Sequence, residues 1–116
     1  MSTIDDRILL HLVDGRRLPI DPADIYLLTV EEGNTLVRGR GATPWEDVRQ
    51  LSELMPLFEL YGFLQIHRSA AVNLRRVREI APTEDGAWQV RLDPPVNSVL
   101  PVSRRRLGEL WGAFGD

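Results

Sequence analysis

The 116-residue chain has no cysteine and no lysine, and only two histidines, His11 and His67. Without cysteine there is neither a disulfide framework nor a thiolate metal site. The histidines are far apart and form no H-x-x-x-H or H-E-x-x-H pair, so a transition-metal site would have to be built almost entirely from carboxylates. A G-x-x-x-x-G-K-S/T phosphate loop is excluded because lysine is missing. Gly39-Arg40-Gly41 is too short for a dinucleotide fingerprint, and no G-x-S-x-G elbow exists. The inventory therefore supports no enzyme and no cofactor. No apolar run approaches the roughly 20 residues that span a bilayer. Met1-Ser2-Thr3-Ile4-Asp5-Asp6 lacks the basic and apolar regions of a signal peptide, so the chain is expected in the cytoplasm, away from membranes. No linker-like run, internal repeat or low-complexity stretch divides it, and residues 1–116 are read as one domain.

All fourteen basic residues are arginine, whose planar fork of donors suits guanine edges and phosphates. The formal net charge of −3 argues against a polycation that coats nucleic acid. The charge is unevenly distributed, however. Residues 1–62 carry 6 Arg against 11 acids, and residues 63–116 carry 8 Arg against 6. In the basic half, Arg75, Arg76 and Arg78 form one group and Arg104, Arg105 and Arg106 another. Acidic pairs such as Asp5-Asp6 and Glu31-Glu32 read as solvated turns.

Strand patterns dominate. Arg7 to Val13 and Arg16 to Ile20 flank the hairpin signal Asp14-Gly15. Ile25 to Val30 is an apolar, β-branched run, Glu31-Glu32-Gly33-Asn34 interrupts it, and Thr35 to Arg40 should return beside it. Thr43, Pro44 and Glu46 look like the cap, first position and capping-box acid of a helix continuing through Val48, Leu51, Leu54, Met55 and Phe58, with Pro56 ending or distorting its last turn. Further strands are expected over Phe63 to Ile66, Arg75 to Ile80, Ala87 to Leu92 and Val99 to Val102. Ser103 can cap a terminal helix bearing Leu107, Leu110, Trp111 and Phe114 on one face.

Between the strands of the basic half stands a polar trio, His67-Arg68-Ser69. Consecutive His, Arg and Ser at a strand end can project into a groove, where His and Arg donate to base edges or phosphates and Ser positions the backbone. The same residues could instead close a turn, with His67 bonded to backbone. Asn73, between Val72 and Leu74, reads as an internal hydrogen-bonding residue.

The segment Gly62-Phe63-Leu64-Gln65-Ile66-His67-Arg68-Ser69-Ala70-Ala71-Val72-Asn73-Leu74 resembles the central signature of the LytTR DNA-binding domain. Asp24-Ile25, Asn34-Thr35-Leu36-Val37 and Leu100-Pro101-Val102-Ser103-Arg104-Arg105 are similar to its flanking motifs, so the likeness runs from about Ile8 to Leu110. The resemblance implies a small, elongated, mainly β fold with one internal helix and a C-terminal helix. It implies a sequence-specific transcriptional regulator that reads direct repeats in double-stranded promoter DNA through loops in successive major grooves. On that reading His67, Arg68 and Ser69 form the central contact, Arg104 and Arg105 a second, and the Asn34-Thr35 hairpin a third. Arg75 and Arg76 would add phosphate contacts. Members commonly join this domain to a receiver, as in two-component response regulators, so a sensor or regulatory partner and a homodimer on repeated sites are implied. Thr35 stands where the family usually has an aromatic, and Glu31-Glu32 would face phosphate. A protein-interaction module of the same fold that has lost strong DNA affinity is the alternative.

Overall fold

The computed structural model describes residues 6–116; Met1 to Asp5, the leader positions read above, lie outside it. The first strands, β1 (Ile8–His11) and β2 (Arg17–Ile20), pair antiparallel around the Asp14-Gly15 turn, where Gly15 adopts φ 93°. A 3-10 turn over Pro22–Asp24, capped by the Asp21 carboxylate on the Ala23 N–H, delivers the chain to β3 (Leu27–Glu31). A two-residue turn then returns it as β4 (Asn34–Arg38). Glu32 and Gly33 both have positive φ, 52° and 85°, the twist that matches a hairpin to its strands.

Next come β5 (Trp45–Asp47), α1 (Leu51–Phe58), β6 (Phe63–His67) and β7 (Ala70–Asn73). The helix expected from Thr43 thus begins eight residues later, and Trp45–Asp47 is a strand. Its competitor is long-range: the Val13 N–H donates to the Glu46 carbonyl and the Val48 N–H to the His11 carbonyl, tying β5 to the end of β1. The capping box is made instead by Gln50 and Glu53. Pro56 sits within α1, which a 3-10 turn over Glu59–Tyr61 extends to Gly62, whose φ of 85° ends it. The chain closes with β8 (Val77–Pro82), β9 (Trp88–Leu92), β10 (Val99–Val102) and α2 (Leu107–Ala113). Ser103 makes no side-chain cap, because Arg104–Arg106 first form a 3-10 turn.

A five-stranded sheet in the order β5-β4-β3-β7-β6 forms the middle of the molecule. The β1–β2 hairpin continues one edge through a Leu12–Asp47 bridge, and the β10-β9-β8 sheet reaches the other, where the Ser103 N–H donates to the Ile66 carbonyl at 2.8 Å. The result measures 47 × 33 × 26 Å, the mainly β, elongated shape expected. Both faces of the central sheet are covered. Leu28, Val37 and Ala71 meet the β1–β2 hairpin and α1 in one cluster, where Phe58 and Phe63 stack edge to face at 4.9 Å. Leu27, Ala70 and Val72 meet β9 and α2 in a second, with Trp88 edge-on to Trp111 at 5.0 Å. Burial on both faces makes β7 apolar rather than alternating, which hid it from a periodicity reading.

Asp47, fully buried, joins the hairpin to the sheet. Its carboxylate accepts from the His11 N–H at 2.8 Å, the Arg49 N–H at 2.9 Å and the Arg49 guanidinium at 2.9 and 3.0 Å. Burial alone would raise this carboxyl. The hydrogen bonds from Arg49 and His11, with the Arg49 charge, outweigh it and hold the group below the usual carboxylate range.

Candidate nucleic-acid interface

The hairpin turns of β3–β4 and β6–β7 lie at the same end of the central sheet, because β3 runs towards Glu31 while its antiparallel partner β7 starts at Ala70. The Val30 N–H donates to the Ser69 carbonyl at 3.0 Å and locks the two tips together. On the far side of β6, the Ser103–Ile66 bond sets Arg104–Arg106 beside the same edge.

A register slip aims the central histidine. Gln65 stands opposite Ala71, but His67 rather than Ile66 stands opposite Ala70. The extra residue brings His67 onto the face it shares with Ala70, on which Ser103–Arg106 lie, and Ile66 stays fully buried. The turn is braced from within. The Gln65 amide donates to the carbonyls of His67 at 3.1 Å and Arg68 at 3.5 Å, and the Ser69 N–H donates to His67 Nδ1 at 3.2 Å. Arg68 is exposed, and His67 and Ser69 are half-buried.

His67, Arg68, Ser103, Arg105 and Arg106 line one cleft of about 200 Å³. Arg104 and Arg105 are exposed, and Arg106 lies 3.4 Å from Glu109. The sequence reading left Ser103 and Arg106 off the site. The signal available was the unbroken run Arg104-Arg105-Arg106; folded as a 3-10 turn, it has Arg105 and Arg106 lining the cleft, and Arg104, exposed, does not line it.

Three expected contact residues are placed elsewhere or committed. Thr35 is fully buried, with its Oγ1 donating to the Arg49 carbonyl at 2.8 Å, so its side chain cannot touch DNA. Arg75 and Arg76 follow the far end of β7, about 13 Å from Ser69 at the rise of a strand. Arg75 is exposed there beside Asp21 and Tyr61. Arg76 donates to the Ala23 carbonyl at 2.8 Å and lies over the Tyr26 ring, 4.9 Å from its centroid, which makes it a brace of the fold. Asn34 does lie at the shared edge, half-buried, with its amide donating to Glu46 at 2.9 Å. Asn73 is buried, donates to the Ile25 carbonyl at 2.9 Å and accepts from the Arg75 N–H at 3.1 Å, so it ties the far end of β7 to the segment before β3, away from the Arg68 turn.

Among the described residues, no cluster of His, Asp and Glu is placed to hold a metal, and no helix is long and apolar enough to cross a membrane. The family profile described as the LytTr DNA-binding domain matches residues 15–115. The chain belongs to this family. As a LytTr domain it shares its fold with the solved LytTr DNA-binding domain of a response regulator from Bacillus cereus: the TM-score is 0.77 at 20% identity, covering 96% of this chain and 98% of the other. The sensory transduction protein LytT of Oceanobacillus iheyensis is 28% identical over 109 residues, 94% of this chain and 44% of the relative. The transcriptional regulatory protein YpdB of Escherichia coli K12 is 32% identical over 104 residues, 86% of this chain and 41% of the relative. The LytTr domain described here therefore spans about two fifths of the length of these curated relatives.

Proposed function

We propose that this LytTr domain is the DNA-reading part of a cytoplasmic transcriptional regulator, with residues from about 8 to 110 as the working unit. The observation that carries the reading is the convergence of His67, Arg68, Arg105 and Arg106 on one cleft at one end of the sheet, flanked by exposed Arg104. The order along that end puts the Asn34 hairpin on one side, the Arg68 turn in the middle and Arg104 on the other. The loops would enter successive major grooves on one side of promoter DNA, with two copies on direct repeats and a sensor or partner protein supplying the input. Arg68, Arg104 and Arg105 are all free of intramolecular ion pairs among the described residues; Arg68 and Arg104 are assigned to base edges, and Arg105 to phosphate.

Selection of bound sequences from random DNA tests the reading: a repeated motif should be enriched, and its affinity should fall as salt rises, with the log–log slope steepening by about −0.9 for each phosphate contacted. One observation favours the rival interaction module. The exposed Glu31 and Glu32 lie at the tip bonded to Ser69, where they would repel phosphate. No enriched motif at low salt would decide for that rival.

A further inference from the structure

A second cleft, of about 320 Å³, opens between the central sheet and the start of β10. Val37 points into the first apolar cluster, so its neighbours Leu36 and Arg38 point to the opposite face. Over β7 and β6 that face is covered by the second cluster, but at β4 the covering layer ends at Ser98–Leu100. Leu27 and Leu36 line the cleft from the sheet, Val99 and Leu100 from β10, and Pro44 from the loop before β5.

Arg38 is the one charged residue lining it. Its Nη1 reaches Ser98 Oγ only at 3.5 Å, the limit of a hydrogen bond, and its Nε is buried without any partner. Among the described residues no carboxylate lies within ion-pair distance of it, and Nη2 has no acceptor. The Nε–Nη2 edge of a guanidinium is a fork matched to two carboxylate oxygens. A buried donor without an acceptor is costly, and an ordered water, an ion or another bound species can satisfy it. The surroundings are apolar apart from Ser98 and Thr29. One cation among Leu, Val and Pro side chains in a space at the small end of ligand sites suits one negative charge on a compact apolar body.

We propose that this cleft binds a small monocarboxylate with an aromatic or short aliphatic body, its carboxylate on Arg38 and its body against Leu36 and Leu100. The proposal does not depend on the DNA reading, because its site lies on the sheet face rather than at the hairpin tips and its test contains no DNA.

The test titrates the full chain with benzoate, hexanoate, benzamide and inorganic phosphate, followed by amide and methyl NMR shifts. Benzoate or hexanoate should give saturable shifts at Leu27, Leu36 and Leu100, with benzamide at least tenfold weaker. Arg38→Met should weaken the carboxylate at least tenfold, and Ala42→Phe, which narrows the cleft from its exposed rim, should also block it. The second variant keeps the proposal testable should the first fail to fold. Absence of saturable shifts with both carboxylates would overturn the proposal. So would equal binding of benzamide, undiminished binding in Ala42→Phe or in folded Arg38→Met, or phosphate binding as tight as benzoate.

Discussion

The backbone N–H of Ser69 donates to Nδ1 of His67, and the Ser69 hydroxyl lies 2.9 Å from the same nitrogen. A backbone N–H can only donate, so Nδ1 is the acceptor and the ring proton sits on Nε2. His67 therefore offers its ligand a donor, suited to guanine O6 or N7, thymine O4 or a phosphate oxygen, and unsuited to the amino groups of adenine and cytosine. Ring nitrogen NMR at neutral pH should show the Nε2-protonated tautomer. His67→Ala should weaken binding to a selected sequence about tenfold, the worth of one good hydrogen bond. A ring protonated at Nδ1 alone would contradict this account of the turn.

Arg104 and Arg105 are adjacent but differently placed, one outside the cleft of His67 and one within it. Arg104→Ala should lower the preference for selected over scrambled DNA by about 1–3 kcal/mol, the range of a bidentate base contact. Arg105→Ala should weaken both sequences alike and flatten the salt slope by about one. Equal losses on both sequences for Arg104→Ala would move that residue to the phosphate contacts.

Arg76 separates folding from binding. Its bond to the Ala23 carbonyl and its place over Tyr26 tie the segment after β7 to the turn before β3. Arg76→Ala should lower the unfolding free energy by about 1–2 kcal/mol, measured in urea, and leave the affinity of the folded protein for DNA unchanged. A selective loss of DNA affinity with unaltered stability would restore it to the interface.

What could be read from the residues was local. The Asp14-Gly15 turn, the strand Val99–Val102 and the projecting His67-Arg68-Ser69 turn each carry their signal within a few positions. What could not be read depends on distant partners. Thr43-Pro44-x-Glu46 is a sound helix start in isolation, yet backbone bonds to His11 and Val13, over thirty residues earlier, make the following segment a strand. Thr35 reads correctly as part of a strand, but its role as a hairpin contact could not be judged without Arg49, whose carbonyl gives its hydroxyl a buried acceptor. Arg75 and Arg76 looked like part of the trio's surface because they follow it closely in sequence, but a four-residue strand carries them to the opposite end of the sheet. The register slip that aims His67 leaves no mark in composition.

Acid should reveal Asp47. Its carboxyl is held below the ordinary value of 3.8, so the ionised form is favoured by folding. The stability it contributes is present above the unfolded-state value and is lost as pH falls through the lower folded-state value. Asp47→Asn should flatten the stability curve in that acidic window. At neutral pH, Asp47→Ala should cost about 3 kcal/mol, because Arg49 and the His11 N–H lose a buried acceptor. Parallel acid limbs in the wild-type and Asp47→Asn proteins would count against this role.

The central sheet divides the apolar interior into two clusters, and each has its own tryptophan: Trp45 packs against the one built on α1, whereas Trp88 and Trp111 belong to the side of α2. The protein thus carries two native optical reporters. With Trp45→Phe the emission comes from the α2 side alone, and with Trp88→Phe and Trp111→Phe from the other. Comparing the melting curves of the two variants would tell, without any attached dye, whether the halves come apart together or one ahead of the other.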